Sequence, residues 1–330
     1  MISRRHPRAL RPLAIGSLML MAMLWGSTFF SIKALVSQEP VADMLAVRFV
    51  IAAAVVGSLG WRHWRMPRRT LVHGLVIGAV YGAAQLVQTY GLARTPASVS
   101  GFITGLYVVI TPFLAAWLLR RRIPGITWVA VTLATVGLAV LSIDVGSVGP
   151  QAGVGEALTL VSAMLYAAHI IAVDSYCAPG TALQLTAVEL AVVAVVCLVA
   201  AVPGGITPPH GPGQWTWMIY LAVIAGAVPI FLQTWAQSYV TPTVAAVIMA
   251  GEPAWAAVFA VMFGGESVSW RMVVGGTTMV AAMILVILTP APSRRDRAPR
   301  GTVPAPAPAA SLGARRPSSD WRTNITSDAG

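Results

Sequence analysis

The stretch ASVSGFITGLYVVITPFLAAWLLRRR, Ala97 to Arg122, decides the fold class. From Ala97 to Leu119 it carries no charged residue, and it closes on three consecutive arginines. A helix needs about 20 mostly apolar residues to cross a hydrocarbon core of ~30 Å, because no water is present there to satisfy its backbone. This run is long enough, and an arginine cluster at its end marks the cytoplasmic face.

Outward from this stretch the same pattern recurs. Ten apolar runs of spanning length are predicted, at 12–34, 41–60, 71–93, 97–119, 126–143, 152–173, 181–202, 215–238, 243–263 and 270–289. Turn signals such as Pro124-Gly125, Pro179-Gly180 and the run Pro203 to Pro212 separate them. Hydrophobic residues make up 57% and charged residues 10% of the chain, against roughly 25% charged in a soluble domain, too few to cover a soluble protein of this length. The net charge of +11 does not point to nucleic acid, because the arginines lie between apolar runs and not on a folded basic face. The expected partner is the lipid bilayer. Cys177 and Cys197 are the two cysteines, so no disulfide framework, metal cluster or other cofactor is indicated.

The basic residues set the orientation. With the N-terminus cytoplasmic, the inner segments hold Arg4, Arg5, Arg8 and Arg11, then Arg62, Arg65, Arg68 and Arg69, then Arg120, Arg121 and Arg122, and finally the basic C-terminal tail. The outer segments hold Lys33, Arg94 and Arg271. Both termini are therefore predicted on the cytoplasmic side of the cell membrane, and the first run is read as a retained span, not a cleaved signal peptide. Residues 290–330, rich in Pro, Ala, Arg and Ser, are predicted to be a disordered cytoplasmic tail, where the Asn324-Ile325-Thr326 sequon would meet no glycosylation machinery.

Sliding the chain by 141 residues brings Trp25 onto Tyr166, Arg48 onto Glu189 and Pro112 onto Pro253, while Thr95-Pro96 meets Thr241-Pro242 at a shift of 146. Each half has five spans, an odd number, so the second half enters the membrane in the opposite sense. The fold class expected is an all-α integral membrane protein of ten transmembrane helices, built as two inverted five-helix repeats. A basic N-terminus at 1–11 precedes the first repeat at 12–143, and the second follows at 152–289.

Trp25-Gly26-Ser27, Arg48-Phe49, Gly101 to Pro112, Leu232 to Thr243, Gly251-Glu252-Pro253 and Gly265-Glu266 together resemble the EamA-type ten-span permeases of the drug/metabolite transporter superfamily. The resemblance covers about residues 12–289. It implies an export or uptake carrier of small metabolites and names no substrate. Two departures stand out: Arg120-Arg121-Arg122 replaces an acidic residue common after span four, and Glu189 stands where an amide is frequent.

Charged groups inside a span cost roughly 2.5–3.5 kcal/mol on insertion scales and usually face a cavity or a partner. Arg48, Glu189 and Glu252 are thus the leading substrate-binding or coupling candidates. Arg48 and Glu189 lie at depths that a long side chain can bridge, so an ion pair that binds a charged substrate or breaks during the cycle is one expectation, and a static structural pair or a helix-packing contact the other. Glu252 is a candidate proton carrier, or alternatively a carboxyl group bonding backbone freed by Pro253. His169 is a further titratable candidate, with a satisfied hydrogen bond as the alternative. Trp25, Gln88, Tyr107, Tyr166, Gln233 and Trp235 offer rings and amides for a mostly apolar pocket. Pro112 and Pro253 are the hinge candidates, because each deletes a backbone hydrogen bond. Gly74, Gly78 and Gly82, like Gly101 and Gly105, are read as close-packing positions.

The function expected is secondary transport of a small metabolite or drug-like solute by alternating access, with export the favoured direction. Protons are a candidate coupling ion and a homodimer a candidate assembly. A channel or receptor is the competing class. An intramembrane enzyme is disfavoured by the lack of H-E-x-x-H or G-x-S-x-G motifs, and no P-loop points to ATP.

Overall fold

The computed structural model describes residues 10–28, 40–60, 66–95, 97–120, 123–142, 153–264 and 267–288. The basic N-terminus before Leu10, Lys33, Arg62, Arg65, Arg121, Arg122, Gly265-Glu266 and the tail with its sequon lie outside them. So does the end of the first predicted span.

Every regular element among the described residues is helical. In chain order they are α1 Arg11–Gly26, α2 Val41–Gly60, α3 Arg68–Arg94, α4a Ala97–Gly105, α4b Tyr107–Leu118, α5 Gly125–Ser142, α6 Val154–Tyr176 and α7 Ala182–Ala201. Then come α8, α9a Pro242–Met249, α9b Glu252–Gly264 and α10 Trp270–Leu288. The α8 span runs as α-helix over Gly211–Ile219, as π-helix over Tyr220–Ala227 and again as α-helix over Val228–Gln237. Among the described residues, eight spans are long and apolar enough to cross a membrane, and Arg11–Gly26 and Gly125–Leu141 are shorter apolar helices.

The packing repeats itself across the two halves. Helix α3 lies against α6 and α7, and its counterpart α8 lies against α1 and α2. The two parts of α4 pack on α6, as the two parts of α9 pack on α1. Three contacts join equivalent helices directly: α2 with α7, α5 with α10, and α4b with α9a. Exchanging α1–α5 for α6–α10 thus turns this pattern into itself, as two inverted repeats require. The exchange fails chiefly around span nine, where α9a also touches α6 and α9b touches α5 without counterparts of like extent in the first half. Helix α4b packs on α9a, whereas among the described residues α4a and α9b make no comparable contact.

Small residues let these helices approach closely. A Cβ on Gly74 or Gly78 would lie 2.7 Å from Val188 or Val192 of α7, so the glycine face of α3 is a packing seam, as its spacing predicts. On the α5–α10 seam a Cβ on Gly137 would meet the Gly275 carbonyl at 2.8 Å, and one on Gly275 would meet the Gly137 carbonyl at the same distance.

The breaks in spans four and nine do not fall at the expected prolines. Span four breaks at Leu106 and span nine at Ala250-Gly251. A Cβ on Gly105 would run into Leu138 of α5, and one on Gly251 into Met283 of α10. The shift of 146 that aligns the two Thr-Pro pairs also carries Gly105 onto Gly251, so these glycines are the equivalent points. Pro253 is the second residue of α9b, where a missing N–H costs nothing, and Pro112 is the sixth residue of α4b. Measured against the breaks, the two prolines are therefore not a matched pair.

Candidate functional site

Both breaks open onto one cavity of about 70 Å³ in the middle of the bundle, with room for water or for one end of a solute. One wall comes from Trp25 of α1 and Thr28 in the turn after it, with Glu252 at the head of α9b. The facing wall comes from Gln85, Gln88, Thr89 and Leu92 of α3, Thr104 of α4a, Tyr107 of α4b and Tyr166 of α6. Arg48 of α2, His169 and Ile170 of α6, Gln233 of α8 and Met249 of α9a complete it. The first residues of α4b and α9b, Tyr107 and Glu252, thus both face the cavity, and an acid in the first turn suits the positive end of a helix.

Arg48 is 4% exposed and is held by backbone. Its Nε donates to the Leu221 carbonyl at 3.1 Å and its Nη2 to the Ala225 carbonyl at 3.2 Å. The local sequence explains these acceptors. Residue 229 is proline, which has no N–H for the Ala225 carbonyl one helical turn earlier. That carbonyl takes the Trp25 indole N–H at 3.1 Å as well as Arg48. Gly226 keeps the approach open, because a Cβ there would lie 2.8 Å from the Leu221 carbonyl oxygen.

Glu189 has a different partner. Its Oε1 lies 2.7 Å from His169 Nε2, with the two side chains 0% and 1% exposed. The expected pairing of Arg48 with Glu189 is therefore not made: depths within reach did not decide direction around the helix, and each group has another partner. The glutamate that departs from the family's frequent amide is the one that meets the histidine.

A polar layer ties the α3 wall together. Tyr166 donates to Gln88 Oε1 at 2.6 Å, and Gln88 Nε2 lies 3.3 Å from Thr104 Oγ1, so one amide joins α3, α4a and α6. Gln85 donates to the Tyr81 hydroxyl at 2.7 Å. At the floor, Gln233 donates to Gln237 at 3.0 Å and Gln237 to the Ile170 carbonyl at 2.9 Å, closing α8 on α6.

Arg48, Glu252, Trp25, Gln88, Tyr107, Tyr166, His169 and Gln233 are thus brought to one cavity, with Glu189 directly behind His169. Trp235 is not. Two residues after Gln233 it points about 200° around the helix and packs on Tyr239, with ring centroids 5.1 Å apart. The reading from sequence missed Gln85, Thr89 and Pro229. The spacing of Gln85, Gln88 and Thr89 puts all three on one helix face and would have revealed the first two.

The chain matches the EamA-like transporter family twice, over residues 12–143 and 153–288. It belongs to the EamA-like transporter family. This EamA-like protein is a multi-pass membrane transporter. It is 30% identical over 280 residues to an uncharacterised transporter of Archaeoglobus fulgidus, covering 82% of this chain and 84% of that one. A solved crystal structure shares the fold with a TM-score of 0.70 and 17% identity, over 83% of this chain and 96% of that one.

Proposed function

We propose that this transporter is an alternating-access carrier that exports a small solute across the cytoplasmic membrane, with both termini inside. The observation that carries the reading is the main failure of the two-fold packing pattern. Helices α4b and α9a are in contact, and the cavity lies where their counterparts α4a and α9b are not. Two inverted halves of like packing have a second arrangement of similar energy, in which α4a meets α9b and α4b leaves α9a. Exchange between the two would move a solute from one side to the other.

With the arginines cytoplasmic, the present arrangement faces outward. Arg11, Arg68, Arg69 and Arg120 stand at the inner ends of their spans, and the cavity wall reaches Thr28 and Leu92 near the outer ends of α1 and α3. The family resemblance allows export or uptake, and export is the direction we propose. Arg48 is the group that would meet an electron-rich end of the solute: its two carbonyl bonds leave guanidinium N–H donors unused among the described residues. The aromatic rings of Trp25, Tyr107 and Tyr166 suit an apolar remainder.

The test is counterflow in proteoliposomes. The solute is chosen by comparing metabolites inside and outside cells with and without the protein. Saturable exchange accelerated by solute on the far side is expected. Flux that rises without saturation and ignores the far side would replace the carrier with a channel.

A further inference from the structure

The contact between His169 and Glu189 does something that packing alone does not require. Glu189 is wholly enclosed, yet only Oε1 is engaged, and Oε2 is buried without a hydrogen-bond partner among the described residues. A carboxylate in such a place needs a compensating positive charge at close range. Helix α2 brings Arg48, already committed to two α8 carbonyls. Helix α3 brings Tyr81, whose ring centroid lies 4.7 Å from that of His169. Tyr166 and Asp174 come from α6, Cys197 from α7, Cys177 from the turn between them, Tyr107 from α4b and Glu252 from α9b. Helix α8 contributes the amides Gln233 and Gln237. Of these groups, His169 is the one in contact with the carboxylate, and an imidazole has a second nitrogen that can take a proton.

The two nitrogens of His169 have separate surroundings. Nε2 faces Glu189, while Nδ1 has no partner among the described residues and His169 forms part of the cavity wall. The neighbouring Ile170 carbonyl accepts the Gln237 bond that closes the cavity floor.

We propose that His169 and Glu189 form the site at which this carrier binds its coupling proton. The inference rests on the carrier reading above. In the empty form, neutral His169 donates its Nε2 hydrogen to the Glu189 carboxylate and the pair has net charge −1. A hydronium ion in the cavity transfers its proton to Nδ1, leaving water; the imidazolium and carboxylate are then neutral together. Release to water on the other side reverses the step, and no electrons move. A second proton would leave the pair positive close to Arg48, which opposes it. The bound proton lies one residue from the floor contact that must open, so loading and opening share one structural element.

The test uses the full chain with ¹⁵N-labelled histidine in lipid nanodiscs, followed by NMR from about pH 5 to pH 8. The chain has five histidines. The His169 signals are assigned as those lost in His169→Gln, or by removing the other four in turn if that variant does not fold. In the native chain Nδ1 of His169 is expected to gain a proton as pH falls. In Glu189→Gln the ring should stay neutral throughout, and Glu252→Gln should behave as the native chain. A native His169 that keeps one protonation state across the range overturns the proposal, as does a Glu189→Gln chain that titrates like the native one. With the solute found by counterflow, the native chain should accumulate it under a pH gradient and Glu189→Gln should not; accumulation retained in Glu189→Gln also overturns the proposal. The NMR series needs no solute, so a failed counterflow assay would remove the carrier reading independently.

Discussion

Arg48 and Glu189 occupy matching places, each within the second helix of its half, yet their charges are satisfied in opposite ways. The arginine is held by two backbone carbonyls of α8, and the glutamate by a side chain of α6. The reason lies in what a helix backbone still offers once it is formed. A helical carbonyl has a second lone pair and can accept again, whereas a helical N–H has one hydrogen, already used. A buried cation can therefore be anchored to helix backbone. A buried anion must recruit a donor side chain. Duplicated topology fixes where a polar residue sits and leaves open how it is satisfied.

The comparison breaks if the two sites respond alike to loss of a partner. His169→Leu strands a buried carboxylate and should cost about 3–5 kcal/mol. Arg48→Met leaves carbonyls that still have helical or indole partners, so it should unfold at a denaturant concentration close to the native one while transport is lost. Equal destabilisation in detergent unfolding would refute the distinction. A smaller effect sharpens it: Gly226→Ala places a Cβ 2.8 Å from the Leu221 oxygen that Arg48 uses and should cost about 1–3 kcal/mol by overpacking. The smallest is Trp25→Phe, which removes one indole bond to a carbonyl that keeps Arg48 and should cost about 1 kcal/mol in the same assay.

The sequence made the spans legible because a bilayer accepts so few solutions: long apolar runs such as 97–119 must be helices. It also showed most of the polar residues that reach the cavity, since a charge or amide in a span needs a reason to be there. The breaks were not legible. Pro112 and Pro253 are visible as local punctuation, but the turns at Leu106 and Gly251 accompany close contacts with Leu138 and Met283, side chains remote in sequence. Trp235 and the Arg48 to Glu189 pairing were misplaced for a related reason. Depth in the membrane follows from counting residues, while the direction around a helix axis depends on what the neighbouring helices leave open.

The crossing of Gly137 with Gly275 has a consequence for how such a molecule is assembled. Each glycine approaches the other's carbonyl, the kind of self-matching contact found between two copies of a single subunit. The seam between the halves thus has the character of a dimer interface enclosed within one polypeptide. The chain between Ser142 and Gly153 has only to supply the high local concentration that separate subunits would obtain by abundance.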